Sequence, residues 1–270
     1  AAMAMGEFHK MHWLGNDLVI IDARVQSIEI SSARAQMIAD RKFGIGCDQL
    51  ILLLPPEIAD VRMRIFNPDG SEVEACGNAS RCVVALLNQD LNIETLGGII
   101  SGKLSGNDVE VSMGDATFGW QDIPLAFPMN TDAMPVAWDN LAAPMAINMG
   151  NPHAVFFVDD VHAVDLSQLG PTIENDSVFP ERVNVNVASI AGNEIHLNVW
   201  ERGAGLTGAC GTGACATAVA AIRQGKATSP VTVHQSGGTL TIDWSPGKPV
   251  IMTGSATYVF KGQADWDAFG

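Results

Sequence analysis

Short apolar runs alternate with breaks rich in glycine and asparagine along most of the chain. LVIID (18–22), DQLILLL (48–54) and MRIF (63–66) read as strands in the first half. AVFFVDD (154–160), VNVNVASI (183–190) and EIHLNVW (194–200) read as strands in the second. Each is rich in Val, Ile, Leu or Phe and ends near Gly, Pro, Asn or Asp. A glycine-containing loop then leads into a helix-like segment in each half, ASRCVVALLNQD (79–90) and GACATAVAAIRQG (213–225). Small residues crowd the second helix, which predicts burial among surrounding strands, and Gly225 suits its C-terminal cap. Weaker strands follow: GGIISGKL and DVEVSM in the first half, then PVTVHQS, GTLTIDW and VIMTGSATYVF in the second. Pro124, Pro128 and Pro135 mark an irregular connection near the middle.

The pattern repeats. Cys76-Gly77-Asn78 recurs as Cys210-Gly211-Thr212 at an offset of 134, and Leu14-Gly15-Asn16 recurs as Met149-Gly150-Asn151 at 135. Gln49, in DQLILL, has its counterpart 135 positions on in Asn184, within RVNVNV. Asn67 and Glu201 each precede the cysteine of their half by nine positions. Matches at one spacing, near half of the 270 residues, predict two similar mixed α/β halves packed face to face.

Composition narrows the function. Charged residues are 17% of the chain, apolar residues 47%, and the net charge is −15. That excludes a disordered chain and argues against nucleic acid, which needs basic patches. No apolar run is long enough for a membrane helix. The N-terminal segment lacks a secretory pattern; Ala1 and Ala2 read as processing residues, with Met3 or Met5 as the start. The odd set Cys47, Cys76, Cys82, Cys210 and Cys215 then points to thiols in a reducing cytosol. Their spacing gives no zinc motif, and GACGTG does not form the dinucleotide fingerprint.

Cys76 and Cys210 stand where a loop turns into a helix, each followed by glycine. A thiol there meets the unpaired N–H groups and positive end of the helix, which should lower its pKa. The same N–H groups can hold a carboxylate. Two opposed thiols are what inversion of a carbon stereocentre requires: one thiolate removes the α-proton, the other thiol delivers a proton to the opposite face. Cys47, Cys82 and Cys215 fit buried structural positions instead.

The stretches KMHWLGNDLVIID, RKFGIGCDQLILL, RIFNPDGSEVEACGNASRC, MGNPHAVFFVDD, FPERVNVNV, WERGAGLTGACGTGAC and MTGSATYVF together resemble the diaminopimelate epimerase family. The resemblance implies two pseudo-symmetric halves, 1–116 with a returning segment 256–270, and 117–255. Each would be a curved, mostly antiparallel sheet around a central helix, with the active site in the cleft between them. It implies interconversion of LL- and meso-diaminopimelate by two cysteines, without pyridoxal phosphate or metal, in lysine and peptidoglycan precursor supply. Cys76 and Cys210 match the acid/base thiols, and His153 and Glu201 match polar groups that assist proton handling. Gly77, Asn78, Gly211 and Thr212 match the carboxylate cradle. Asn16, Asn67, Asn151, Asn184 and Arg202 match the set holding the rest of the substrate, with Gln49 a further wall residue. Arg202 can pair two N–H groups with a distal carboxylate, and asparagines offer both donors and acceptors. A cytoplasmic homodimer is expected on the same ground. The alternatives are a racemase of another amino acid on this fold and a non-catalytic small-ligand binding protein. The chain departs from the common family pattern at Trp13, Ala79, Ser80, Asn186 and Leu206, none of them expected to touch a thiol or the distal set.

Overall fold

A computed structural model of the protein describes residues 5–74 and 76–270, so the expectations for Ala1, Ala2 and Met3 lie outside the described residues. The chain divides into two compact units. One runs to Val111 and takes back Gly254–Gly270; the other is Ser112–Thr253.

The first unit contains β1 (Met5–Trp13), β2 (Asn16–Asp22), α1 (Ser32–Ala39), β3 (Gln49–Leu54), β4 (Val61–Phe66), β5 (Glu72–Val73), α2 (Gly77–Leu87), β6 (Leu91–Thr95), β7 (Gly98–Ser105) and β8 (Asp108–Ser112). The order across its sheet is β1-β2-β3-β4-β6-β7-β8, with β5 on the end of β4. The β2–β3 and β4–β6 pairs are parallel and the others antiparallel.

In the second unit, a small hairpin of β9 (Ala137–Trp138) and β10 (Leu141–Ala142) precedes β11 (Met145–Asn148) and β12 (Pro152–Phe157). Then come α3 (Leu166–Glu174), β13 (Asn184–Ala191), β14 (Glu194–Glu201), β15 (Gly205–Thr207), α4 (Gly211–Arg223), β16 (Val231–Gln235), β17 (Gly238–Asp243) and β18 (Ile251–Gly254). Its order, β11-β12-β13-β14-β16-β17-β18 with β15 on the end of β14, repeats the first unit pair for pair, including which pairs are parallel. The last strand, β19 (Thr257–Asp265), returns to the first unit and pairs antiparallel with β1.

Both faces of the central strands are covered, which is why they read as continuous apolar runs instead of alternating ones. Leu18, Val19, Ile20 and Ile21 of β2 are all buried, as are Leu50 to Leu53 of β3. Val19, Ile21, Leu50 and Leu52 face α1, where Ala35, Ile38 and Ala39 meet them. Phe156, Val185 and Val187 similarly meet Leu166 and Ile173 of α3. On the other side lies the second helix of each unit. α4 touches β11, β12, β13, β14, β16 and β17, so the sheet curves around it. Ala214, Ala216, Ala218, Ala220 and Ala221 are buried accordingly, since a helix enclosed this closely has no room for larger side chains.

Sequence reading misses α1 and α3. SARAQMIA has little segregation of apolar from polar positions, and α3 carries Gly170 and Pro171 in its interior. Gly170 is there because a Cβ would lie 2.4 Å from the Trp200 ring. Gly170→Ala is therefore expected to cost about 1–3 kcal/mol of stability through overpacking. The urea midpoint by circular dichroism measures it; an unchanged midpoint would contradict the tight helix–indole contact.

Candidate active site

In the first unit the site residues collect at the starts of β2, β3 and α2. Leu14 and Gly15, both with positive φ (50° and 87°), make the tight turn joining β1 to β2. This is the backbone twist that a two-residue hairpin needs, and it sets Asn16 at the first position of β2. Gln49 opens β3, in parallel register with Leu18. Next to each stands an aspartate. Asp17 takes both guanidinium arms of Arg41, at 2.7 and 3.0 Å, and the ammonium of Lys10. Burial works to raise the Asp17 pKa, but these hydrogen bonds hold it well below the usual carboxylate range. The Asp17 and Asp48 backbones are tied to each other, which fixes the two strand starts side by side.

Cys76 is the N-cap of α2, with extended backbone, and its thiol donates to Gln49 Oε1 at 3.3 Å. Gly77 and Asn78 form the first helical turn, whose N–H groups have no partner within the helix. The buried amide oxygens of Asn16 and Asn78 have no hydrogen-bond partner among the described residues, whereas buried acceptors are normally satisfied. Asn67 heads the turn after β4 and donates from Nδ2 to Ser71 Oγ at 3.2 Å. Trp13 is buried, with the Arg81 guanidinium 4.5 Å from its ring centroid. The family departure at Trp13 is thus a packing partner for a buried arginine of α2.

In the second unit Cys210 is the N-cap of α4. Its backbone is clamped by Gln235 of β16: Cys210 N–H donates to Oε1 at 2.8 Å, and Gln235 Nε2 donates to the Cys210 carbonyl at 3.1 Å. The thiol sulfur accepts from Gly213 N–H at 3.3 Å and lies 3.7 Å from Thr212 Oγ1. The expected lowering of the thiol pKa is reversed here. Burial pushes Cys210 up, the neighbouring Glu201 carboxylate adds to this, and the Gly213 and Thr212 donors only partly oppose them. Burial and Glu201 together favour the protonated thiol at Cys210. Cys47 and Cys82, expected to be structural, are buried and pushed up to about 12 chiefly by burial; Cys215 is likewise buried on α4.

Asn151 precedes β12 after the positive-φ Gly150. Its Nδ2 donates to Thr212 Oγ1 at 3.2 Å, and its Oδ1 lies 2.8 Å from His153 Nε2. His153 has no exposed surface. Burial, with Arg202 nearby, pushes its pKa down to about 3. An imidazole buried by its surroundings and held at both nitrogens suits a fixed bridge between Asn151 and Asn186. Asn184 opens β13. It donates to the Pro152 carbonyl at 2.9 Å and accepts from Arg202 N–H at 2.8 Å. Buried and turned to backbone, it holds Arg202 in place. The Arg202 guanidinium donates to the Glu181 carbonyl at 3.0 Å and lies at the mouth of the turn after β14.

Three residues of this unit escape a reading of the sequence. Gln235 clamps Cys210. Glu174 of α3 accepts from Arg182, from Trp200 Nε1 and from Gly203 N–H at 2.9, 2.9 and 3.0 Å, pinning the turn that carries Glu201 and Arg202. Asn186 contacts both His153 and the Asn184 carbonyl, contrary to the expectation that it stands apart. The duplicated polar positions were the available signal. Asn186 lies two residues beyond Asn184 on the same face of β13.

The duplicated α/β fold is shared with solved structures. The chain superposes on the Bacillus anthracis phenazine biosynthesis protein of the PhzF family with TM-score 0.69, at 17% identity, covering 97% of this chain and 99% of that one. The sequence is more specific. It matches the diaminopimelate epimerase family over residues 8–119 and 145–259, and the chain belongs to that family. It is 60% identical over 265 residues to the diaminopimelate epimerase of Rhizorhabdus wittichii, covering 97% of each chain. It is 61% identical over 264 residues to that of Sphingopyxis alaskensis, covering 97% of this chain and 98% of that protein.

The His153 environment makes a stability prediction. Its folded pKa, about 3, lies below the ordinary 6.5. The unfolded chain therefore binds the proton first as pH falls. The contribution is complete above pH 6.5 and is lost toward pH 3, at up to ~1.4 kcal/mol per pH unit. His153→Gln should flatten the fall of unfolding free energy across that window relative to wild type. Equal slopes in urea titrations would contradict a buried neutral imidazole.

Proposed function

We propose that the chain interconverts LL- and meso-diaminopimelate by two-thiol proton transfer, with Cys76 and Cys210 as acid and base. The observation carrying this reading is that each copy of a duplicated fold sets a cysteine at the N-cap of its enclosed helix, in a chain whose relatives are named diaminopimelate epimerases.

In one direction a thiolate takes the α-proton, so that a C–H bond breaks and an S–H bond forms. The other thiol gives its proton to the opposite face of the same carbon, so that an S–H bond breaks and a C–H bond forms. Nothing is oxidised or reduced, and pyridoxal phosphate and metal have no step. The carboxylate on the reacting carbon takes charge in the transition state. First-turn N–H groups at Gly77 and Asn78, and at Gly211 and Thr212, supply fixed donors for it. The Glu201 carboxylate beside Cys210 favours the protonated thiol, the form that delivers a proton. The unsatisfied oxygens of Asn16 and Asn78 suit ammonium groups. Gln49 and Asn67 in the first unit, and Asn151 and Arg202 in the second, are the polar groups that each unit offers a substrate charged at both ends, with Asn184 holding Arg202.

This activity belongs to lysine and peptidoglycan precursor synthesis, and a cytoplasmic location fits its substrate. No helix among the described residues is long and apolar enough to cross a membrane. Tyr258, Val259 and Phe260 are exposed in succession on β19. Such an apolar stretch supports a homodimer, which light scattering with Phe260→Asp would test: a dimer in wild type, a monomer in the variant.

Cys76→Ala and Cys210→Ala are each expected to lose at least ~10³-fold in turnover, since each direction needs both an acid and a base. Proton NMR of LL-diaminopimelate in D₂O with reductant should show deuterium entering one α-carbon as meso product accumulates. Full activity of either variant, or no exchange with wild type, would overturn the reading.

A further inference from the structure

We propose that Asn186 is a positioning residue for Cys210: it fixes the tautomer of His153 and thereby the direction of a hydrogen-bond chain that ends on the Thr212 hydroxyl. The proposal rests on the reading of Cys210 as an acid/base thiol.

Asn186 is fully buried on β13. Its Nδ2 faces three acceptors: His153 Nδ1 at 3.0 Å, the Ala154 carbonyl at 3.2 Å and the Asn184 carbonyl at 3.4 Å. Turned over, the carboxamide would press its oxygen against two carbonyl oxygens, so the nitrogen belongs there. An N–H donor aimed at His153 Nδ1 requires that nitrogen to be bare. In a neutral imidazole the proton is then on Nε2, which donates to Asn151 Oδ1 at 2.8 Å. That fixes the second carboxamide, whose Nδ2 donates to Thr212 Oγ1 at 3.2 Å. With its oxygen accepting from Asn151, the Thr212 hydroxyl keeps its own hydrogen to give, and Cys210 Sγ lies 3.7 Å away.

Asn186 also packs against the first turn of α4. Its Oδ1 has no hydrogen-bond partner among the described residues and packs on Gly213, where a Cβ would lie 2.6 Å from it. The Gly213 N–H donates to the same sulfur. Of the two donors that favour a Cys210 thiolate, Thr212 O–H is oriented through Asn186, His153 and Asn151, and Gly213 N–H belongs to the residue on which Asn186 packs. They counter burial and the Glu201 carboxylate, the charged group at the thiol; Arg202 is the charged group near His153. An acceptor at position 186 would reverse the chain. His153 would carry its proton on Nδ1, Asn151 would turn over, and Thr212 would donate to Asn151 instead of to sulfur.

The test uses full-length protein labelled with ¹⁵N-histidine. Long-range proton–nitrogen correlation should show wild-type His153 with bare Nδ1, protonated Nε2 and no titration between pH 5 and 9. Asn186→Asp should move a proton onto Nδ1. In Asn186→Asp and Asn186→Leu, checked for folding by thermal melts, the alkylation rate of Cys210 at fixed pH below its midpoint should fall about tenfold, the loss of thiolate that a one-unit rise in pKa produces. The kcat should fall about tenfold with KM within threefold. A protonated Nδ1 in wild type overturns the proposal whether or not the variants fold. An unchanged Cys210 alkylation profile in a folded variant does so too. Full activity of Cys210→Ala would instead remove the underlying reading while leaving the tautomer result in place, so the two failures are distinguishable.

Discussion

A helix enclosed by its own sheet must still satisfy the N–H groups of its first turn, and the chemistry of this protein follows from how that is done. In α4 the sulfur of the capping cysteine takes one of these groups, from Gly213, while Gln235 secures the Cys210 backbone in both directions. The remaining first-turn donors are rigid, desolvated and aimed outward from the helix end. Fixed dipoles in such surroundings act on a developing anion more strongly than water does, because they need not reorganise. The same enclosure raises the cost of charging the sulfur. Fixed donors suited to an anion and a reluctant thiol are two results of one burial.

Much of the fold is legible because the chain is written twice. The β2 and β3 runs announce themselves through Val, Ile and Leu at nearly every position, since both faces are covered. The alanines of α4 announce a helix with no space around it. The repeated Cys-Gly pairs locate the helix ends by spacing alone. What stays hidden is set by contacts with no local pattern. α3 contains Gly170 and Pro171, which argue against a helix until the Trp200 ring is placed against it. α1 is short and only weakly amphipathic.

The site is legible in its residue types and less so in their roles. Spacing selects Asn184 as one of a polar set, but only the parallel register with His153 shows that its carboxamide is consumed by Pro152 and Arg202. Glu174 and Gln235 act on neighbours 26 and 25 positions away, and nothing in their own surroundings marks them; Asn186, which reaches His153 33 positions back, is marked only by its place two residues beyond Asn184. The expected lowering of the thiol pKa fails for a physical reason. A helix end supplies at most about 2 kcal/mol, whereas desolvation of a buried ion is larger.

The duplicated polar positions have diverged in a way that bears on the history of the fold. Gln49 still touches its own unit's thiol, while its counterpart Asn184 has been drawn into the backbone and replaced at the sulfur by a relay through Thr212 and Asn151. Matching positions of the two copies therefore do different work. Substitutions acceptable at a position in one half carry no licence at the matching position of the other.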